Sequence, residues 1–124
     1  MIHLESTTGD VIEDVTSEDL STLTVGNPLI WLGTAAGNTV GCSGIAIRDY
    51  SRRGGTGGSG GGIVDIMMNA ETSQVLIDKP TQYAGGGALQ VDFGNGAQHV
   101  TIVAPVPGWQ KLNTTGAQFV VLGA

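Results

Sequence analysis

The side chains best suited to nucleophilic or base chemistry are few: His3, His99 and Cys42, with serines and threonines around them in a chain of 124 residues. Gly41-Cys42-Ser43-Gly44 places a thiol between glycines, but it lacks the G-x-S-x-G spacing of a nucleophile elbow. Cys42 therefore reads as a small, partly buried apolar residue. Gly55-Thr-Gly57-Gly-Ser-Gly60 matches G-x-G-x-x-G in form. The match fails in context: it runs into Ile63-Val-Asp-Ile-Met, a strand pattern, where the dinucleotide fingerprint needs a helix N-terminus to receive the pyrophosphate. Two histidines, one cysteine and scattered aspartates give no zinc spacing, and Asp92-Phe-Gly-Asn-Gly96 lacks the further carboxylates of a calcium loop. No metal or cofactor is expected. Asp49, Asp65, Asp78 and Asp92 lie on separate strand candidates and read as strand-end carboxylates, so no enzyme activity is expected either. Among the rings, Trp109 follows Pro105-Val-Pro107-Gly108. It is either an exposed platform for a sugar or a lid on one end of the core.

The elements that position these residues are strands. From Pro28 onward, short apolar runs rich in Val, Ile and Thr are punctuated by Gly and Asn, which predicts an all-β fold, a small sandwich or barrel. Seven strands are expected at 29–32, 44–49, 62–68, 74–78, 88–93, 99–104 and 118–122. Asn95-Gly96 between two alternating runs predicts a tight hairpin, with Asp92 facing His99 on its outer side. Thr16 followed by Asp19 resembles a capping box, so one short helix is expected within 17–23. Residues 1–15 form an acidic N-terminal segment, read as a mobile arm, an edge strand, or each in turn. Residues 16–124 form a single β domain, and a glycine-rich tract at 52–62 reads as a long flexible loop. No internal repeat of useful period is apparent, although the segments before and after Gly85 have similar strand content.

Charge narrows the classes of partner. Residues 1–47 carry six carboxylates (Glu5, Asp10, Glu13, Asp14, Glu18 and Asp19) and no Lys or Arg, while the remainder balances, so the whole net charge of −6 lies near the N-terminus. Such a surface repels phosphate backbones, and Arg48, Arg52 and Arg53 are too few for a nucleic-acid track. No apolar run approaches the ~18 residues of a membrane span, and Met1-Ile-His-Leu-Glu5 has no secretory h-region, so synthesis in a cytoplasm, without export by that route, is expected.

Leu23-Thr-Val-Gly-Asn-Pro-Leu-Ile-Trp-Leu-Gly33, then Val40 to Ser51, then Gly-Gly-Ile-Val-Asp-Ile-Met-Met68 give an order of elements that resembles the head decoration, or cement, proteins of tailed bacteriophages. The resemblance covers about residues 20–70. It implies a virion structural protein on the capsid exterior, bound to the major capsid protein and to copies of itself as a trimer on the lattice. On that reading Ile2, Leu4, Val11 and Ile12 form the capsid-binding segment by adding a strand to a capsid subunit, and Arg52, Arg53 and Trp109 are loop contacts. The alternative is a carbohydrate- or receptor-binding β-module of a phage tail or fibre.

Overall fold

The computed structural model describes residues 2–17, 28–53, 64–83 and 87–123. In chain order the strands are β1 (Ile2–Glu5), β2 (Val11–Glu13), β3 (Thr16–Ser17), β4 (Ile30–Gly33), β5 (Ser43–Arg48), β6 (Ser51–Arg53) and β7 (Ile66–Met68). They continue with β8 (Ser73–Asp78), β9 (Thr81–Tyr83), β10 (Gln90–Asp92), β11 (Gln98–Val103), β12 (Gln110–Leu112) and β13 (Phe119–Leu122). The fold is all-β, and each of the seven expected strands falls on an observed one. Among the described residues there is no helix; of the expected helical stretch, Ser17 lies in β3 and the rest is outside the described residues.

The pairing differs from a sandwich or barrel. Every ladder is parallel, and the chain visits three sheets in turn: β1-β4-β7-β10-β12 (sheet A), β2-β5-β8-β11-β13 (sheet B) and β3-β6-β9 (sheet C). Each circuit lays one rung on the previous one, so the chain winds as a parallel β-solenoid whose neighbouring rungs are about 4.8 Å apart. The hairpin expected at Asn95-Gly96 does not form. The turn is present, with the amides of Gly96 and Ala97 both donating to the Phe93 carbonyl, but β10 leaves it in sheet A and β11 in sheet B. Both runs alternate, as a hairpin requires. Each alternation instead serves its own parallel neighbours, Val91 beside Ile66 and Val100 beside Val75. Asp92 and His99 therefore do not pair.

Stacking like on like builds the core. Ile12, Ile47, Ile77, Ile102 and Val121 are successive partners in sheet B, and Ile2, Ile30, Ile66 and Val91 do the same in sheet A. β-branched chains suit this because their restricted χ1 lets them nest identically from rung to rung. The spacing between partners shortens along the chain, from Ile12-to-Ile47 down to Ile102-to-Val121. That variable connection length hides the repeat from a search for constant period.

Two columns of left-handed residues make the bends. Gly9, Gly44, Gln74 and His99 share one position at the start of the sheet B ladder, the second residue of β5, β8 and β11, and Asp14, Asp49, Lys79, Ala104 and Gly123 share the one that follows the ladder, all with positive φ. Close approach adds a demand at Gly94, where an added Cβ would strike the backbone of Met68 and Asn69 on the rung below.

Candidate functional site

Tyr50 and Arg52 alternate inward on the run entering sheet C, and Asp65 immediately precedes the aliphatic strand β7. The fold brings the three together inside the solenoid, with Arg52 and Asp65 0% exposed and Tyr50 1%. Arg52 Nε donates to Asp65 Oδ1 at 2.8 Å and the Tyr50 hydroxyl donates to the same oxygen at 2.7 Å. The Gln90 amide donates to Asp65 Oδ2 at 2.9 Å, and Arg52 Nη2 reaches the carbonyls of Gly87 (3.0 Å) and Ala88 (3.2 Å). Burial first, then the Asp65 charge and its hydrogen bond, push the Tyr50 phenol well above its ordinary value of 10.0, against smaller opposing effects of Arg52 and Ser17. Arg52 is thus an interior strut and not a loop contact. The cluster closes the corner between sheets C and A, out of contact with solvent. Alternation of Tyr50 and Arg52, with a carboxylate interrupting the run from Ile63 to Met68, is the signal in the sequence that could have found it.

The remaining expected site residues are scattered. Arg53 is exposed on β6, while residues 54–62 of the glycine tract lie outside the described residues. Trp109 packs on the core as a lid: the Gln110 amide bonds to the Leu89 carbonyl, and Lys111 Nζ lies 5.5 Å from the Trp109 ring centroid and 5.9 Å from that of Phe119. Cys42, expected to be partly buried, is fully buried. Asp92 accepts from the Gly94 amide and from Asn113 Nδ2, both at 2.8 Å. His3 stacks on Trp31, with centroids 4.1 Å apart and planes 3° from parallel.

In place of a free arm, the N-terminal segment is built into all three sheets as their edge strands. Ile2, Leu4 and Ile12 pack on the core, while Val11 faces out and is 53% exposed. The Ile2 and Ser6 amides bond to the carbonyls of Leu29 (2.8 Å) and Gly33 (3.1 Å), and on either side of β2 the Asp10 carbonyl accepts from the Ala46 amide and the Asp14 amide donates to the Arg48 carbonyl. Parallel pairing then turns the amides of His3, Glu5, Val11 and Glu13 toward the open edge. Those edge amides lie beside the carboxylates of Glu5, Asp10, Glu13 and Asp14.

The outer face of sheet B forms the second surface. Val11, Ala46, Leu76, Thr101 and Val120 make a row across it. Beside that row a shallow groove of about 400 Å³ is lined by Gly44, Ala46, Gln74, Leu76, His99 and Thr101 among others.

Among the described residues, no group of three or more His, Cys, Asp or Glu is placed to hold a metal ion, and no helix is long and apolar enough to cross a membrane. No family model, curated protein or solved structure matches the chain.

Proposed function

We propose that the protein is a non-enzymatic structural component of a tailed-phage particle, a decoration protein that binds the major capsid protein on the outside of the head. The observation that supports this reading best is the N-terminal rung. There, among the described residues, β1, β2 and β3 are the edge strands of the three parallel sheets, and Glu5, Asp10, Glu13 and Asp14 lie along or beside them. Such an edge recruits a partner strand by main-chain hydrogen bonds, and its acidity selects one with basic neighbours. The order of elements over residues 20–70 supports the phage assignment. Contacts of this kind repeated over a lattice, with copies of the protein grouped in threes, add by multivalency.

The test is to count copies per major capsid subunit in density-banded particles, for the wild type and for Glu13→Pro. That substitution removes an edge amide turned away from the fold. Stoichiometric wild-type copies and loss of the variant are expected. Absence of the wild type from particles overturns the reading, and full retention of the variant overturns the edge as its means. A second reading, a carbohydrate-binding module of a tail or fibre, draws support from the sheet B groove, where Gln74, His99 and Thr101 flank apolar Ala46 and Leu76. It predicts glycan binding that is lost in Gln74→Ala.

A further inference from the structure

The outer face of sheet B is uneven along the solenoid axis, and the unevenness has a pattern. At its left-handed position the first two rungs carry Gly9 and Gly44, while the next two carry Gln74 and His99. Two residues further along the strands Ala46 is the Cα partner of Leu76, and two beyond that Arg48 is the partner of Asp78. Small side chains thus lie on one side of the line between β5 and β8 and large ones on the other, and the shallow groove of about 400 Å³ follows that step. Charge changes sign across the same line. Arg48 is exposed and Asp78 half-buried, yet among the described residues neither forms an ion pair, although the two are neighbours on adjacent strands.

A two-fold axis parallel to the strands, running between β5 and β8, sets this face against itself. Strand direction is kept and the order of the rungs is reversed, so each residue faces the one at the same strand position an equal distance across the axis. Gln74 then enters the space over Gly44 of the second copy, His99 the open space over its Gly9, and Leu76 the hollow over its Ala46. Arg48 meets Asp78 of the second copy, and every such contact occurs twice. The remaining facing pairs, Val11 with Thr101 and Glu13 with Val103, fall at the rim, where Glu13 keeps its water. Sheets packed face to face lie about 10 Å apart with their strands within about 30° of each other, a gap that interdigitated side chains of this size fill.

We infer that the outer face of sheet B is an isologous interface between two copies of this chain. A second copy is the occupant because one face supplies both the knobs and the hollows, and both signs of charge, at positions that the two-fold brings together. Four rungs of six residues cover about 400 Å² per copy, about half of a standard interface, so the pair is expected to dissociate on dilution. The interface needs no phage particle and stands apart from the proposed function. A glycan in the sheet B groove would compete for the same face.

The test is sedimentation of the full chain over a wide range of concentration. The wild type is expected to rise from the mass of one copy toward that of two and no further. Arg48→Asp sets carboxylate against carboxylate across the axis, and Asp78→Arg sets guanidinium against guanidinium, so each alone is expected to associate at least about tenfold more weakly. Mixed together, the two variants restore both ion pairs and are expected to reach the two-copy mass that neither reaches alone. No repair within a single chain can produce that recovery. Ala46→Tyr fills the hollow that Leu76 enters and is expected to stay at the mass of one copy, with urea unfolding confirming that each variant is folded. A wild type that holds the mass of one copy at every concentration overturns the proposal, and glycan binding by that single copy would favour the second reading of the groove. Growth past two copies, a mixture no heavier than its parts, or Ala46→Tyr pairing as the wild type does overturns it equally.

Discussion

The walls formed by sheets A and B and the corner behind sheet C are buried to the same degree, yet opposite kinds of interaction hold them. In the walls, Ile47, Ile77 and Ile102 repeat one aliphatic shape from rung to rung, each nearly inaccessible to water. Their stabilisation is non-directional and grows with the apolar area removed from solvent. At the corner, Tyr50, Arg52 and Asp65 are equally inaccessible but depend on hydrogen bonds aimed at particular atoms. A wall tolerates a change of shape in small steps. A polar corner fails when one member is lost, because the others remain buried with their partners gone.

The sharpest way to break this contrast is Asp65→Ala. It leaves the Arg52 guanidinium buried without its carboxylate and orphans the Gln90 amide, so a loss of about 3–5 kcal/mol is expected in urea unfolding. A loss below about 1 kcal/mol would mean that water reaches the corner and the contrast with the walls is false. Replacing the whole cluster, with Tyr50→Phe, Arg52→Met and Asp65→Leu together, removes the charges as a set. The buried ions no longer need compensation, but the Gln90 amide and the carbonyls of Gly87 and Ala88 lose their partners. The triple variant is therefore expected to lose about 1–3 kcal/mol, less than the single Asp65→Ala. If the triple variant is the less stable of the two, the cluster is held by something other than mutual satisfaction.

How far each region could be read from sequence follows from the same distinction. The aliphatic runs announce themselves, which is why strands at 44–49, 74–78 and 99–104 lie on β5, β8 and β11. Their partners do not. An alternating strand looks the same whether its neighbour lies across a two-residue turn or a full circuit away, and Asn95-Gly96 supplied a turn signal that the fold uses as a corner. The columns of left-handed residues are equally opaque. Gly9 and Gly44 mark one of them, but Gln74 and His99 take the same conformation with no sequence sign of it. Arg52 drew attention as a charge beside a glycine tract, and only its alternation with Tyr50 hinted that it points inward.

In the walls the expected effect is smaller and graded. Ile77→Val removes one methylene from a fully buried column and is expected to cost about 0.5–1.5 kcal/mol in the same assay, with the m-value unchanged. Because Ile47 and Ile102 are its direct partners, Ile47→Val combined with Ile77→Val should depart from additivity, whereas Ile77→Val combined with Asp65→Ala should add. A strong coupling between column and corner would show that the two regions are one cooperative packing problem and not two.

The finest discrimination comes from Tyr50→Phe read against pH. Near neutrality the variant loses one hydrogen bond to Asp65, and since Arg52 Nε still serves the same oxygen, a cost of about 0.5–1.5 kcal/mol is expected. The sign changes in alkali. The folded phenol is held above its ordinary value of 10.0, chiefly by burial and then by the Asp65 charge. Below about pH 10 the phenol is protonated in both states and its contribution to stability is complete. Above that pH the unfolded phenol ionises while the folded one stays neutral, so the unfolded state binds fewer protons and stability falls by up to about 1.4 kcal/mol per pH unit. The phenyl ring of the variant has no proton to lose, so the unfolding curves of wild type and variant should converge and then cross as pH rises past the ordinary tyrosine range. Parallel curves from about pH 8 to pH 11 would show that the phenol ionises as readily in the fold as in the unfolded chain. The corner would then be wet, and its kinship with the dry aliphatic walls would be lost.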